Sequence, residues 1–426
     1  VARQAHNLKA AGSNPAPATK PNHNPNPSQN PQPGNGPGVS ACVPQIKPAG
    51  GKESRMKNLR MLWSFLFLIA AGTAQAATPS YDSYGSWLIA CDNVLTCEAK
   101  GFVQDNDDVT SDSAPVNGAV DLRFIRAAGP GGLIQARLTA GFPFGLTDLR
   151  VDGRPLLLDR SAWTLTTQDG ISTLSTKRPE VVAAFVAQLR DGTTLQVGDG
   201  SVPLNGLSAA LLHMDDRQGR VGGVTALIRT GLKSASAVPP APLPPSAPPA
   251  HRSSVLSGRE RDRLMAWTVK AQAQFIKKQA CDRLDKETDS LLETGVYGLD
   301  KNNAVVLLGC SMAAYQGTSL VFVVPRTGNG QPEPASLPSP VLIKGDTGDE
   351  GSMVTSPDFD VATGTLADFY KGIGLAYCGG SHEWRWDGHR FVLTGMTFQL
   401  GCGGSMSGDW PVLYRSKAQL RDQKKE

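Results

Sequence analysis

The sequence predicts a mainly β, α+β fold: two small antiparallel-sheet domains joined by a proline-rich linker, the second domain led by one amphipathic helix. Three observations carry this. Short runs of alternating apolar and polar residues are punctuated by turn pairs such as Asp152-Gly153, Asp169-Gly170 and Asp387-Gly388, as antiparallel hairpins require. Residues 238–250, VPPAPLPPSAPPA, hold seven prolines, which fix φ and remove backbone donors, so the segment is neither helix nor central strand and reads as a semi-rigid spacer. Ser257 and Glu260 then form an S-x-x-E capping box ahead of Leu264, Trp267, Ala271 and Phe275, one apolar stripe at helical spacing.

The predicted organisation begins with a leader. Residues 1–55 carry Asn-Pro repeats and no apolar periodicity, a composition that buries too little surface to fold, and they read as a disordered stretch ahead of a mis-set start, with Met56 the true first residue. Residues 56–76 have the parts of a secretory signal peptide: Lys57 and Arg60, an apolar run from Met61 to Ala71, and Ala74-Gln75-Ala76 as the cleavage site. The run is too short to span a bilayer, and cleavage leaves no integral span. A mainly β domain at 77–235, the linker at 236–253, an α+β domain at 254–418 and a charged tail at 419–426 follow.

In the first domain, Trp87 and Ile89 alternate with Ser86, Leu88 and Ala90 across 85–90, and the chain turns at Asp92-Asn93 into 96–99. Leu122 and Phe124 alternate with Arg123 before Gly129-Pro130-Gly131-Gly132, and Ile134, Ala136 and Leu138 alternate with Gln135 and Arg137 after it, a second hairpin. Pro179 and Glu180 open a helix bearing Val182, Phe185, Val186 and Leu189, which Asp191-Gly192 closes. Asn205 is the expected N-cap of another helix, with Leu207, Leu211 and Leu212 on its face and Gly219 beyond its end, and 224–228 returns as a last strand. In the second domain the capped helix runs to about Gln279. Strands are expected at 304–308, 320–324, 340–343, 375–378, 384–386, 391–394 and 396–400, with a short helix at 363–371 ended by Gly372.

The formal charge of +4 misleads, because the first 76 residues carry eight Lys/Arg against Glu53 alone. The mature chain has 34 basic and 37 acidic residues, near −3, which removes any general electrostatic case for nucleic acid. It keeps six cysteines, Cys91, Cys97, Cys281, Cys310, Cys378 and Cys402, a disulfide count in an oxidising compartment. Cys91 and Cys97 lie on the arms of one hairpin, and joining neighbours among the other four closes each loop within one supersecondary unit. The expected bonds are therefore Cys91–Cys97, Cys281–Cys310 and Cys378–Cys402.

Trp87 with Cys91-Asp92-Asn93 and Cys97, Arg126-Ala127-Ala128-Gly129, Gly309-Cys310, Phe369-Tyr370-Lys371-Gly372, Tyr377-Cys378-Gly379, Trp384-Arg385-Trp386-Asp387-Gly388 and Asp409-Trp410-Pro411 together resemble the bacterial domain-of-unknown-function 1176 family over roughly Tyr84 to Ser416. The first domain is also similar to the invasion-associated locus B proteins, although it lacks the cysteine pair those proteins carry between Leu133 and Ile228. The resemblance implies an envelope location and a β-rich fold, and brings no assigned reaction or cofactor.

Several constellations are candidates for chemistry. Cys378, His382, His389 and Cys402 suit zinc by type, but their spacing fits no usual finger and exported cysteines are normally oxidised, so no metal is expected. Asp105, Asp107, Asp108 and Asp112 form an acidic loop with Thr110 where a calcium loop needs glycine, which favours plain solvation. Glu383, Trp384, Trp386, Asp409 and Trp410 have the composition of a carbohydrate cleft, two carboxylates among stacking platforms, against the alternative that the tryptophans fill the core. No G-x-S-x-G, S-x-x-K, H-E-x-x-H or phosphate loop occurs in the mature chain. The sequence therefore predicts a periplasmic or secreted protein without cofactor, a non-catalytic binder of an envelope protein or glycan. A carboxylate-based hydrolase or lyase on cell-wall or carbohydrate substrate is the alternative.

Overall fold

The computed structural model describes residues 76–104, 120–281, 292–312, 315–327, 330–340, 351–404 and 409–417. The expected strand at 340–343 and the acidic loop from Asp105 to Asp112 fall largely or wholly outside these residues, as do the leader up to Gln75 and the charged tail.

In the first module, β1 (Ser80–Tyr84), β2 (Trp87–Cys91), β3 (Cys97–Phe102), β4 (Val120–Arg126) and β5 (Ile134–Ala140) pair in sequence order. Beyond β5 lie β9 (Ile171–Thr176) and then β8 (Thr164–Gln168), completing a seven-stranded antiparallel sheet. A smaller sheet runs β11 (Gly200–Pro203), β10 (Thr194–Val197), β6 (Leu149–Val151), β7 (Arg154–Pro155). Asp152 and Asp169 take positive φ with the glycines that follow them, which is what a tight hairpin turn demands. Between the sheets, α1 (Pro179–Leu189) and α2 (Leu207–Arg217) close a core that includes Trp87, Phe124, Phe185 and Leu211. Gly101 lies where any Cβ would meet the Trp87 indole.

The second module stacks two sheets. One is β12 (Gly295–Gly298), β13 (Asn303–Met312), β14 (Gly317–Pro325), β15 (Glu333–Pro334), with β16 (Met353–Thr355) also on β14. The other is β17 (Asp358–Asp360), β18 (Thr365–Lys371), β19 (Gly379–Trp386), β20 (Phe391–Gln399), β21 (Val412–Arg415). Residues 304–310 of β13 are an unbroken buried run because both faces of the strand are covered. Val305 and Leu307 meet Trp384, Trp386 and Phe391 between the sheets, while Val306 and Leu308 lie under α3 (Gly258–Ala271) and α4 (Ala273–Lys278). Ser257 caps α3 by accepting from the Glu260 amide at 3.2 Å.

Every residue of β2 is buried, because its outer face is also covered. Leu88, Ala90 and Phe102 of the first sheet pack on Met396, Phe398 and Leu413 of the second module. Asn93 holds both backbone groups of Arg415, at 3.0 and 2.8 Å, and Arg415 also pairs with the buried Asp92 carboxylate. The proline-rich segment has no regular structure yet lies on the body of the protein, with Val238 buried and the Pro245 carbonyl accepting from the Lys417 amide at 3.0 Å. A semi-rigid spacer by itself would let few contacts cross between the modules. The apolar residues left on the outer face of β2 are the reason many do.

Four local expectations are corrected. Within 363–371 there is no helix: 363–364 turn and Thr365–Lys371 form strand β18, since Thr, Phe and Tyr suit a pleated surface and the segment pairs on both sides. Residues 375–378 turn, with Ala376 at positive φ, and the strand begins at Gly379. Residues 224–228 form no strand, because the Leu227 and Ile228 amides donate to the buried Asp215 carboxylate at 2.6 and 3.2 Å instead of to a neighbouring strand. The N-cap of α2 is Gly206 at φ 101°, not Asn205, whose carbonyl accepts from the Ser86 amide.

The expected three disulfides form: Cys91–Cys97, Cys281–Cys310 and Cys378–Cys402. They point to a non-cytoplasmic, oxidising setting. Among the described residues no helix is long and apolar enough to cross a membrane.

Candidate functional site

Asp368 on β18 is the cross-strand partner of His382 on β19. Its Oδ1 accepts from the His382 amide at 2.8 Å and lies 2.9 Å from His382 Nδ1. A carboxylate only accepts, so Nδ1 donates, and in the neutral imidazole Nε2 is then the acceptor. Ser339 Oγ lies 3.1 Å from that Nε2. Hydroxyl, imidazole and carboxylate thus stand in one hydrogen-bonded row.

The surrounding chain fixes each member. His382 and Trp384 share a face of β19, and their rings stack at 5.0 Å with 18° between planes; the Tyr370 ring also stacks with that of His382, at 6.5 Å and 23°. The Trp384 indole N–H donates to the Pro338 carbonyl at 2.9 Å and pins the segment carrying Ser339. Proline on both sides of Ser339 limits its backbone further.

Ser339 also lines a pocket of about 380 Å³, within the range of small-molecule sites. Pro338, Pro340, Phe391 and Leu393 supply apolar wall, and Tyr414 and Arg390 bring polar groups to it. Arg390 is largely exposed and lies 3.7 Å from Asp387.

The residues singled out from sequence go elsewhere. Trp384, Trp386 and Trp410 are 3, 3 and 4% exposed, so they offer no stacking platform to a ligand. The Trp386 indole donates to Asp300 at 2.7 Å, and Trp410 stacks on Phe369 at 5.3 Å. Glu383 is half-buried in the middle of β19, across from Ala367 and Gly395. Asp409 faces the first module, 3.0 Å from Arg123 and 3.7 Å from Arg137. Burial pushes its carboxyl up, but Arg123 and Arg137 outweigh that and hold it below the ordinary range. Cys378 and Cys402 are bonded to each other, and His389 is exposed.

Asp409 belongs to a buried ionic seam between the modules. Arg123, 3% exposed, grips both Asp121 oxygens at 2.6 and 2.9 Å and donates to the Asp409 carbonyl at 3.0 Å. The fully buried Lys100 donates to Gln399 at 2.6 Å. Sequence reading missed the seam and the Ser339 row alike. Alternating charges on β3 and β4 read as a solvent face, and Ser339 stands in no nucleophile motif. The one available signal was His382 sharing a strand face with two tryptophans.

Fold and site define a disulfide-stapled β protein of packed antiparallel sheets with a small pocket beside a Ser-His-Asp row. The chain belongs to the family of proteins of unknown function DUF1176, which matches residues 81–417. It is 29% identical over 364 residues to the uncharacterised protein YpfG of Escherichia coli (strain K12), across 83% of this chain and 98% of that protein. No solved structure matches the chain.

Proposed function

We propose that this protein is exported by the signal peptide at 56–76, resides in the periplasm, and binds an acylated envelope component in the pocket beside Ser339. The pocket carries the reading: its Pro338, Pro340, Phe391 and Leu393 wall suits an apolar chain, and Arg390 suits an anionic group at the mouth. The three disulfides support the export half of the proposal. A glycan is the poorer occupant, because the three tryptophans that would stack on sugar rings are buried. The carboxylate-hydrolase alternative draws no support from Asp409, since a group held ionised by two arginines is ill suited to donate a proton.

Calorimetry with decanoate as probe tests the pocket. Wild type should bind, Val392→Trp should fill the pocket and abolish binding, and Arg390→Ala should weaken it by no more than about fivefold, since one exposed charge contact is worth about 1 kcal/mol at most. Equal affinity in wild type and Val392→Trp would sink the assignment.

A further inference from the structure

We infer that the Ser339–His382–Asp368 row is an acyl-transfer centre and that the pocket's substrate class is a carboxylic ester with an apolar acyl chain; this rests on the pocket being the ligand site proposed above. Three features carry it. The donor-acceptor order is complete, with Oγ 3.1 Å from Nε2 and Nδ1 2.9 Å from the carboxylate, within the distances at which a base takes a hydroxyl proton. The imidazole is held by the stacked Trp384 ring and by a carboxylate that the His382 amide also binds, so it is oriented before any ligand arrives. Ser339 lines the pocket wall, so the nucleophile and the space for an acyl chain coincide. A serine hydroxyl that served only to tie its loop to the sheet would need neither the pocket nor the carboxylate behind the histidine. Such rows are recognised by geometry on unrelated folds rather than by local sequence.

The step balances without a co-reactant other than water. His382 Nε2 takes the Ser339 proton as Oγ bonds to the ester carbonyl carbon; the carbon–oxygen bond to the alcohol then breaks, and the same proton leaves with the alcohol. Water repeats the sequence on the acyl-serine, giving the carboxylic acid and free Ser339. Asp368 is a positioning residue, acting through the imidazole.

The test uses the full exported chain and a fluorophosphonate probe, which phosphonylates an activated serine, with peptide mapping of the adduct. Labelling should map to Ser339, disappear in Ser339→Ala, and fall at least about 100-fold in His382→Ala. Added imidazole should restore part of the rate in His382→Ala, which a purely structural histidine would not allow. With p-nitrophenyl esters from acetate to octanoate, kcat/KM should rise with acyl length, and Asp368→Asn should lower kcat with KM unchanged. Wild-type protein that is folded by its disulfide map but takes no label at Ser339 overturns the inference. Decanoate binding is scored separately, so loss of the acyl-transfer reading leaves the pocket reading standing or falling on its own experiment.

Discussion

Replacing Arg123 by Met keeps the side chain's length and removes the charge on which the inter-module seam turns. Arg123 is 3% exposed, and the Asp121 carboxylate it grips through two bonds is 1% exposed, so the substitution leaves a buried anion without its hydrogen-bonded cation. It also removes the donor to the Asp409 carbonyl and the partner of its carboxylate. Breaking one side of a buried pair costs about 3–5 kcal/mol, because the abandoned charge keeps its desolvation penalty. Glu98 adds to the effect: burial already pushes its carboxyl up against the pull of Arg123 and Lys100, and without Arg123 it rises further and takes a proton more readily. Urea unfolding at neutral pH, followed by tryptophan fluorescence, should show the full loss in Arg123→Met. The double variant with Asp121→Asn, which removes the stranded anion, should lose markedly less than the sum of the two single variants. A loss below about 1 kcal/mol in Arg123→Met, or strict additivity in the cycle, would refute the claim that this pair is desolvated and coupled.

Lys100 gives a pH signature: burial, with Arg123 beside it, lowers its pKa to about 8. Below that both folded and unfolded chains hold the proton, while between about 8 and the ordinary lysine value the unfolded chain alone holds it, so stability rises with pH across that window. Relative to Lys100→Met, wild type should gain about 2 kcal/mol between pH 7.5 and 9.5 in paired denaturation curves, and a flat difference would contradict the burial of a charged lysine. Gly206→Ala should cost more than about 2 kcal/mol and show as a lowered thermal midpoint, because φ is 101° there and a Cβ would strike the Tyr84 carbonyl. Removing Cys281–Cys310, whose partners are 29 residues apart, should cost about 3–4 kcal/mol against about 2 for Cys91–Cys97 at separation 6, measured on Cys→Ser pairs; the reverse order would speak against a loop-entropy origin. Cleavage between Ser236 and Ser257 should yield fragments that co-elute in size exclusion, since Leu88, Ala90 and Phe102 stay packed on Met396, Phe398 and Leu413; separate elution would show that this packing does not hold the modules together.

The hairpins, the capped helix and the three disulfides were legible in the sequence because each is a local device. Asp152-Gly153 and Asp169-Gly170 turn the chain wherever they occur, Ser257 caps from three residues away, and neighbouring cysteines close their own loops. Residues 363–371 were misread because helix and strand patterns overlap in a run of seven to nine residues, and pairing with β17 and β19 decided between them. What only the tertiary structure decided is which polar residues meet. Lys100 and Arg123 have the alternating pattern of a solvent-facing strand and became buried when the second module covered that face. Ser339, Asp368 and His382 stand in no motif, since one comes from a proline-flanked loop and the others from paired strands. A side chain's chemistry is written in its residue type, but its partners are set by sheet register and by the packing of one module on another, and those are properties of the whole chain.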